Sequence, residues 1–218
     1  MNMNTHKAIF YRDFFKDHVA DEVKETFLEN IYAPLLVPDG VYIEAGANIG
    51  MFTILAYPSA KKIFAVEPSA PHLETLNKML DFNEMKDKVT VVPVAISNKN
   101  GEMKFYHTEN STMNSLTPGL LGKNTGEEIV KTVTIKKLFE DNAIDHVDLF
   151  NLDVEGAEFD ILSSDEFTEI APKIKTIVVE YHDWTNKTFV QIITMLEDRG
   201  FTVTQAKTQA MVFIGKHE

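Results

Sequence analysis

Apolar residues recur along this chain with two alternating rhythms, and the alternation predicts the fold. From about His6 to Tyr32 they fall at three- and four-residue steps, at Phe10, Phe14, Phe15, Val19, Val23, Phe27 and Ile31, the spacing of a helix with one buried stripe. Pro38-Asp39-Gly40 is a turn that ends this segment. Short, mainly apolar strand-like runs then follow at Val41–Ala45, Ile63–Val66, Val89–Ile96, Val147–Leu152 and Ile174–Val179. Helical stretches separate several of them, at Ile49–Tyr57, at Ala70–Phe82 and from near Gly156. A last helix, Asn186–Arg199, is closed by Gly200 as its C-cap, and Phe201–Thr204 with Met211–Ile214 reads as a hairpin-like pair. Strands apolar on both faces, alternating with helices, predict an α/β fold: a doubly wound, mostly parallel sheet covered on both sides. We therefore expect an N-terminal helical extension over 1–37 and one domain over 38–218. The polar, glycine-bearing stretch Thr108–Glu128 reads as a long loop, and loops of that length are functional or disordered.

Composition narrows the classes of function. Hydrophobic residues at 44% and charged residues at 25% are the balance of a soluble globular protein, and no apolar run is long enough to span a bilayer. The opening residues lack the uninterrupted apolar stretch of a secretory signal, which makes the cytoplasm the expected compartment. The absence of cysteine excludes disulfides, thiolate metal sites and a cysteine nucleophile. A net charge of −12 disfavours a nucleic-acid partner, which would want a basic face.

The chemistry concentrates where the predicted strands end. Glu44-Ala45-Gly46-Ala47-Asn48-Ile49-Gly50 lies at the first strand-to-helix turn, and its glycines let backbone approach a ligand closely. The spacing is not the dinucleotide fingerprint, because Asn48 and Met51 stand where further glycines would be needed. Glu44 puts a carboxylate where a pyrophosphate would be repelled but where a cofactor bearing an ammonium and a sulfonium is suited. Glu67 ends the second strand, roughly 20 residues on, at the place from which an acid accepts hydrogen bonds from ribose hydroxyls. Pro68 stops that strand and leaves the carboxylate at its tip. Together these features predict S-adenosylmethionine as the cofactor.

These segments resemble the FkbM family of methyltransferases. The likeness runs from about Pro38 to Gly215 and is carried by VYIEAGANIGMFTILA, IFAVEPSAPHLETLNKMLDFN, VAISNKNGEMKFY, NSTMNSL, VDLFNLDVEGAEFDIL and IVVEYHDW. The resemblance implies a seven-stranded Rossmann-like sheet of class I type, ending in a reversed strand. It implies that Glu44, Gly46, Asn48 and Gly50 line the methionine part of the cofactor, that Glu67 and Pro68 meet the ribose, and that Ala95, Ile96 and Ser97 lie near the adenine. It also implies O-methylation of a hydroxyl on a sugar, polyketide or similar small molecule. Two positions depart from the family pattern: Glu44 replaces the more usual aspartate, and Asn151 stands where lysine is common.

Methyl transfer needs alignment of acceptor, carbon and sulfur, and a hydroxyl acceptor must also lose its proton. Asp153 and Glu155 leave the fourth main strand, with Asp153 also near the cofactor; Glu180 and His182 end the fifth, two apart and so on one face. Three readings stand open. His182 or Asp153 is a general base; Asp153, Glu180 and His182 share a divalent metal, the less favoured reading; or the group merely supports the loops. His107 and Trp184 border the same region. The Asp/Asn-Pro-Pro-aromatic run of an adenine amino-methyltransferase is missing at Asp153, which again disfavours nucleic acid. Two other functions compete: a nicotinamide-dependent oxidoreductase, and a cofactor-binding protein without turnover.

Overall fold

The computed structural model describes residues 31–109, 114–117, 123–182, 188–206 and 212–217. The predicted N-terminal helix, Trp184, the start of the last helix and most of the tip of the 108–128 stretch lie outside the described residues.

A seven-stranded sheet organises the molecule, in the order β3-β2-β1-β7-β8-β10-β9. The strands are β1 (Gly40–Ala45), β2 (Ala60–Val66), β3 (Val89–Val92), β7 (Leu149–Leu152), β8 (Thr176–Glu180), β9 (Thr202–Gln205) and β10 (Val212–Lys216). All neighbours pair in parallel except β10, which runs antiparallel to both β8 and β9. Every residue of β1 is buried, as a central strand covered on both faces requires.

Side-chain alternation divides the core into two layers. On one face Tyr42, Ala65, Leu149 and Val178 meet Phe52 and Ala56 of α1 (Met51–Ala56) and Leu76, Met79 and Leu80 of α2 (Ala70–Phe82). On the other, Ile43, Phe64, Phe150 and Ile177 meet four further helices. These are α3 (Ile135–Asp141), α4 (Glu158–Leu162), α5 (Asp165–Ile170) and α6 (Phe189–Glu197). A capping box between Thr188 and Gln191 starts α6. At its end Gly200 takes a left-handed φ of 86°, and Phe201 N–H closes on the Leu196 carbonyl at 3.1 Å. Among the described residues no helix is long and apolar enough to cross a membrane.

The sequence reading needs two corrections here. Val89–Ile96 is not one strand. Pro93 has no N–H to give a ladder, and Val94 N–H turns back onto the Val92 carbonyl at 2.9 Å, so β3 ends there. Ala95–Ile96 restarts as β4 in a separate three-stranded sheet, ordered β4-β6-β5, with β5 at Gly101–Thr108 and β6 at Asn124–Val133. The two ends of the expected 108–128 loop, Thr108 and 124–128, are therefore the end of one strand and the start of the next, in a pairing that runs from Gly101↔Thr132 to Thr108↔Asn124. The strands escaped notice because their exposed faces are charged and only Phe105, Val130, Thr132 and Val133 are buried.

The chain crosses from one side of β1 to the other between β3 and β7, which makes the β1/β7 boundary the topological switch point. Ligands of open α/β sheets bind outside the carboxyl ends of the strands at that place.

Candidate active site

Three strand tips converge at the switch point. Gly46 takes a φ of +83°, and a Cβ there would lie 1.7 Å from the Asp153 carbonyl oxygen. Only glycine lets the β1 turn lie so close to the backbone leaving β7, and Asp153 N–H bonds the Ala45 carbonyl at 3.0 Å. Gly50, at +91°, clears the side chains of Met79 and Leu76 by the same means. Asn48 is left-handed too, with a φ of 48°.

The turn is tied directly to the β2 tip. Glu67, only 3% exposed, accepts Asn48 N–H at one carboxylate oxygen and Ser69 N–H at the other, each at 2.8 Å. His72 Nδ1 stands 3.3 Å from the second oxygen. Pro68 separates this tip from α2. Glu44 is equally buried but sits deeper, under α1, where its carboxylate accepts the Thr53 hydroxyl. Its register partner on β7 is Asn151, which therefore shares its face. Asn151 is 5% exposed and its Oδ1 has no hydrogen-bond partner. Ala95, Ile96 and Ser97 follow Pro93 in the small sheet. Ile96 joins the main core, Ala95 packs with Phe105 and Val130, and Ser97 N–H bonds the Val133 carbonyl. The small sheet reaches back to the β2 tip through Glu128, which accepts Ala70 N–H at 3.3 Å and faces His107 Nε2 at 3.2 Å.

At the ends of β7 and β8 one imidazole lies among four carboxylates. His182 Nδ1 meets Glu158 Oε1 at 3.1 Å, while Nε2 stands 3.4 Å from Glu155, 3.9 Å from Asp153 and 3.9 Å from Glu180. Glu158 in turn accepts the N–H groups of Val154 and Gly156. The loop bends sharply to allow this, with left-handed φ values of 54° at Glu155 and 103° at Gly156.

Proton affinities there are far from ordinary. Burial would lower that of His182, but the Glu158 hydrogen bond and the charges of Asp153, Glu158 and Glu155 outweigh it and push the ring up to about 10. Burial, then the charge of Glu180, raises Asp153 well above the usual carboxylate range, although His182 pulls the other way. A third of the Asp153 side chain is exposed, but its Oδ1 is sealed and has no hydrogen-bond partner. Burial raises Glu180 as well, again opposed by His182 and reinforced by Glu158. Asp153, Glu155 and His182 each bring a ligand-type atom within 4.8 Å of one another. The trio considered from sequence had Glu180 in place of Glu155.

The structure thus brings Asp153, Glu155, Glu180 and His182 together, and sets Asp153 against the glycine turn. Glu158 is the member that sequence reasoning missed as a site residue. Its signal was present, as the last acid of DVEGAE, but an acid at the start of a helix ordinarily reads as a solvated terminus.

Comparison with known proteins bears on this arrangement. The methyltransferase FkbM domain matches residues 44–203. Methyltransferase sdnD of Sordaria araneosa is 28% identical over 221 residues, covering 85% of this chain and 83% of that protein. The 31-O-demethyl-FK506 methyltransferase FkbM of Streptomyces tacrolimicus is 28% identical over 200 residues, covering 77% and 75%. Among solved structures, a methyltransferase FkbM from Methylobacillus flagellatus KT superimposes with a TM-score of 0.56 at 15% identity. That match takes in 86% of this chain but only 46% of the longer one. A magnesium protoporphyrin IX methyltransferase from Synechocystis PCC 6803, solved with bound SAM, gives a TM-score of 0.54 at 11% identity over 97% of this chain and 92% of that one. At such identities the likeness is one of fold.

Proposed function

Because this chain belongs to the FkbM family of methyltransferases, we propose that it moves a methyl group from S-adenosylmethionine to a hydroxyl of a small molecule, with Asp153 receiving the hydroxyl proton. Membership of that family removes the nicotinamide-dependent reading. The observation that carries the proposal is the contact between the Gly46 turn and the backbone of Asp153, which sets the cofactor's expected seat beside a carboxylate of raised proton affinity.

The residues present fit the cofactor. Asn151 Oδ1 is a buried acceptor lacking a donor, and Asn151 pairs in register with Glu44, whose carboxylate accepts the Thr53 hydroxyl; an amide oxygen and a carboxylate on one face suit an ammonium. Glu67 is held by one backbone N–H at each oxygen, which leaves lone pairs for ribose hydroxyls. The absence of side chains at Gly46 and Gly50 keeps the turn close to whatever lies on it. When bound, S-adenosylmethionine supplies an electrophilic methyl: the acceptor oxygen gains the carbon, the sulfur keeps the bonding electrons, and S-adenosylhomocysteine is left.

The chain's own contribution is to hold charge and a proton. His182 keeps its proton at neutral pH, so it serves as a fixed cation among the carboxylates and not as the base. Asp153, its proton affinity raised by burial and by the charge of Glu180, is the better acceptor of a proton. The acceptor is taken to be a small molecule because the 31-O-demethyl-FK506 enzyme is among the relatives and the net charge is −12.

The test is to incubate the protein with methyl-labelled S-adenosylmethionine and a panel of hydroxylated sugars, polyketides and amines, and to read labelled products by mass spectrometry. Label on oxygen supports the proposal. Label on nitrogen alone overturns the acceptor class, and a protein that binds S-adenosylhomocysteine but labels nothing is a binder without turnover. Activity abolished by a chelator and restored by a divalent cation would replace the proton-accepting role of Asp153 with a metal.

A further inference from the structure

Glu158 has a role that the proposed reaction does not absorb. It is 1% exposed, yet it is a carboxylate. It accepts Val154 N–H at 3.1 Å and Gly156 N–H at 3.1 and 3.0 Å, and it meets His182 Nδ1 at 3.1 Å. One side chain therefore binds the backbone of the loop leaving β7 and the ring at the end of β8. These two segments belong to adjacent strands, and the loop between Asp153 and Glu158 holds a non-glycine residue, Glu155, at a left-handed φ of 54°, a conformation that surrounding contacts have to maintain.

The ring's other nitrogen is set by the same bond. With Nδ1 held on Glu158, Nε2 points toward Asp153, Glu155 and Glu180, the remaining charged groups that face it among the described residues. A hydrogen bond at one imidazole nitrogen fixes ring orientation and the role of the other.

We infer that Glu158 is the positioning residue of this site: it locks the 153–157 loop and the His182 ring into one unit, so that the ring's Nε2–H is presented to Asp153 and Glu155. The inference rests on the proposed function only for the role of Asp153. The unit itself is independent of which acceptor is methylated. Loss of charge at Glu158 removes the nearest charge that holds the ring's proton and weakens the bond that orients the ring.

The experiment is nitrogen-proton NMR of the histidine rings in the full chain, with the His182 signal assigned by its disappearance in His182→Gln. In the unaltered protein both His182 nitrogens stay protonated well above neutral pH. In Glu158→Gln, which preserves size and an acceptor oxygen, the midpoint falls by about one unit or more, a tenfold loss of proton affinity. The second arm is amide exchange in His182→Gln, where Val154 and Gly156 exchange about tenfold faster because their acceptor is no longer anchored. An unchanged His182 midpoint in Glu158→Gln overturns the inference, since the other three carboxylates would then suffice. If Glu158→Gln does not fold, unchanged exchange at Val154 and Gly156 in His182→Gln overturns it instead. Binding of S-adenosylhomocysteine is read separately; its absence in the unaltered protein sinks the cofactor reading and leaves these two measurements standing.

Discussion

Two carboxylate-bearing regions flank β1 in this molecule, the β2 tip on one side and the β7 and β8 tips on the other, and are treated in opposite ways. At the β2 tip a single buried glutamate, Glu67, receives one backbone N–H at each oxygen. At the β7 and β8 tips four carboxylates crowd one imidazole; burial, then the charge of Glu180, drives Asp153 toward protonation, and burial with the charge of Glu158 does the same to Glu180, both against the pull of His182. In the proposed function the first site takes the ribose, and its carboxylate is already held by backbone N–H groups, so little has to reorganise on binding. The second is under electrostatic tension, with like charges crowded into a buried place and the carboxyl proton affinities raised. Recognition and chemistry are thus separated by one strand, and Gly46 joins them by packing the turn onto Asp153.

The contrast can be broken from the reactive side first. Asp153→Ala is expected to slow methyl transfer by about 10²–10⁴-fold, the usual contribution of a general base; turnover within a few-fold of the unaltered protein would remove Asp153 from the chemistry. Breaking the join comes next. Gly46→Ala forces a Cβ into the Asp153 carbonyl and strains a left-handed residue, so a drop in Tm of about 5 °C or more is expected. Thermal denaturation reads it directly, and an unchanged Tm would mean that the two loops are not in contact.

On the recognition side, Glu67→Gln should weaken S-adenosylhomocysteine binding roughly 10- to 100-fold, in line with about 1.5–3 kcal/mol for a charged hydrogen bond. Calorimetry giving equal affinities would detach Glu67 from the ribose. The smallest effect is in stability against pH. The folded-state pKa of His182 lies above its ordinary value of 6.5, at about 10, so its stabilising contribution is complete below 6.5 and is lost as pH rises through 10. Asp153 and Glu180 are shifted upward too, so their ionisation above the ordinary carboxylate range also costs stability. The decline in Tm between neutral pH and pH 10 should therefore be shallower in His182→Gln than in the unaltered protein. Parallel declines would show that the ring carries no extra proton affinity in the fold.

Much of the architecture was legible because its signals are local. The apolar runs marked β1, β2, β7 and β8 to within a few residues, and Gly200 marked the end of α6, since burial on both faces and a left-handed cap each impose a residue type on the spot. The small sheet was not legible. Its strands carry charge on the exposed face, as in Lys104 and Glu127, which pair at 2.7 Å, and the break at Pro93 lay inside an otherwise continuous apolar run. At the site, the positions of Glu67 and Asp153 at strand ends followed from the pattern. The partnership of Glu158 with His182 did not, because 24 positions separate them and neither is unusual alone.

By itself the sequence determined the strands of the main sheet, the glycine turn and which acids stand at strand tips, because these depend on periodicity and on residues close in the chain. Only the tertiary structure decided what those acids are like. Proton affinity depends on distance through space and on exclusion of water, and both are created when β7, β8 and α4 come together around His182.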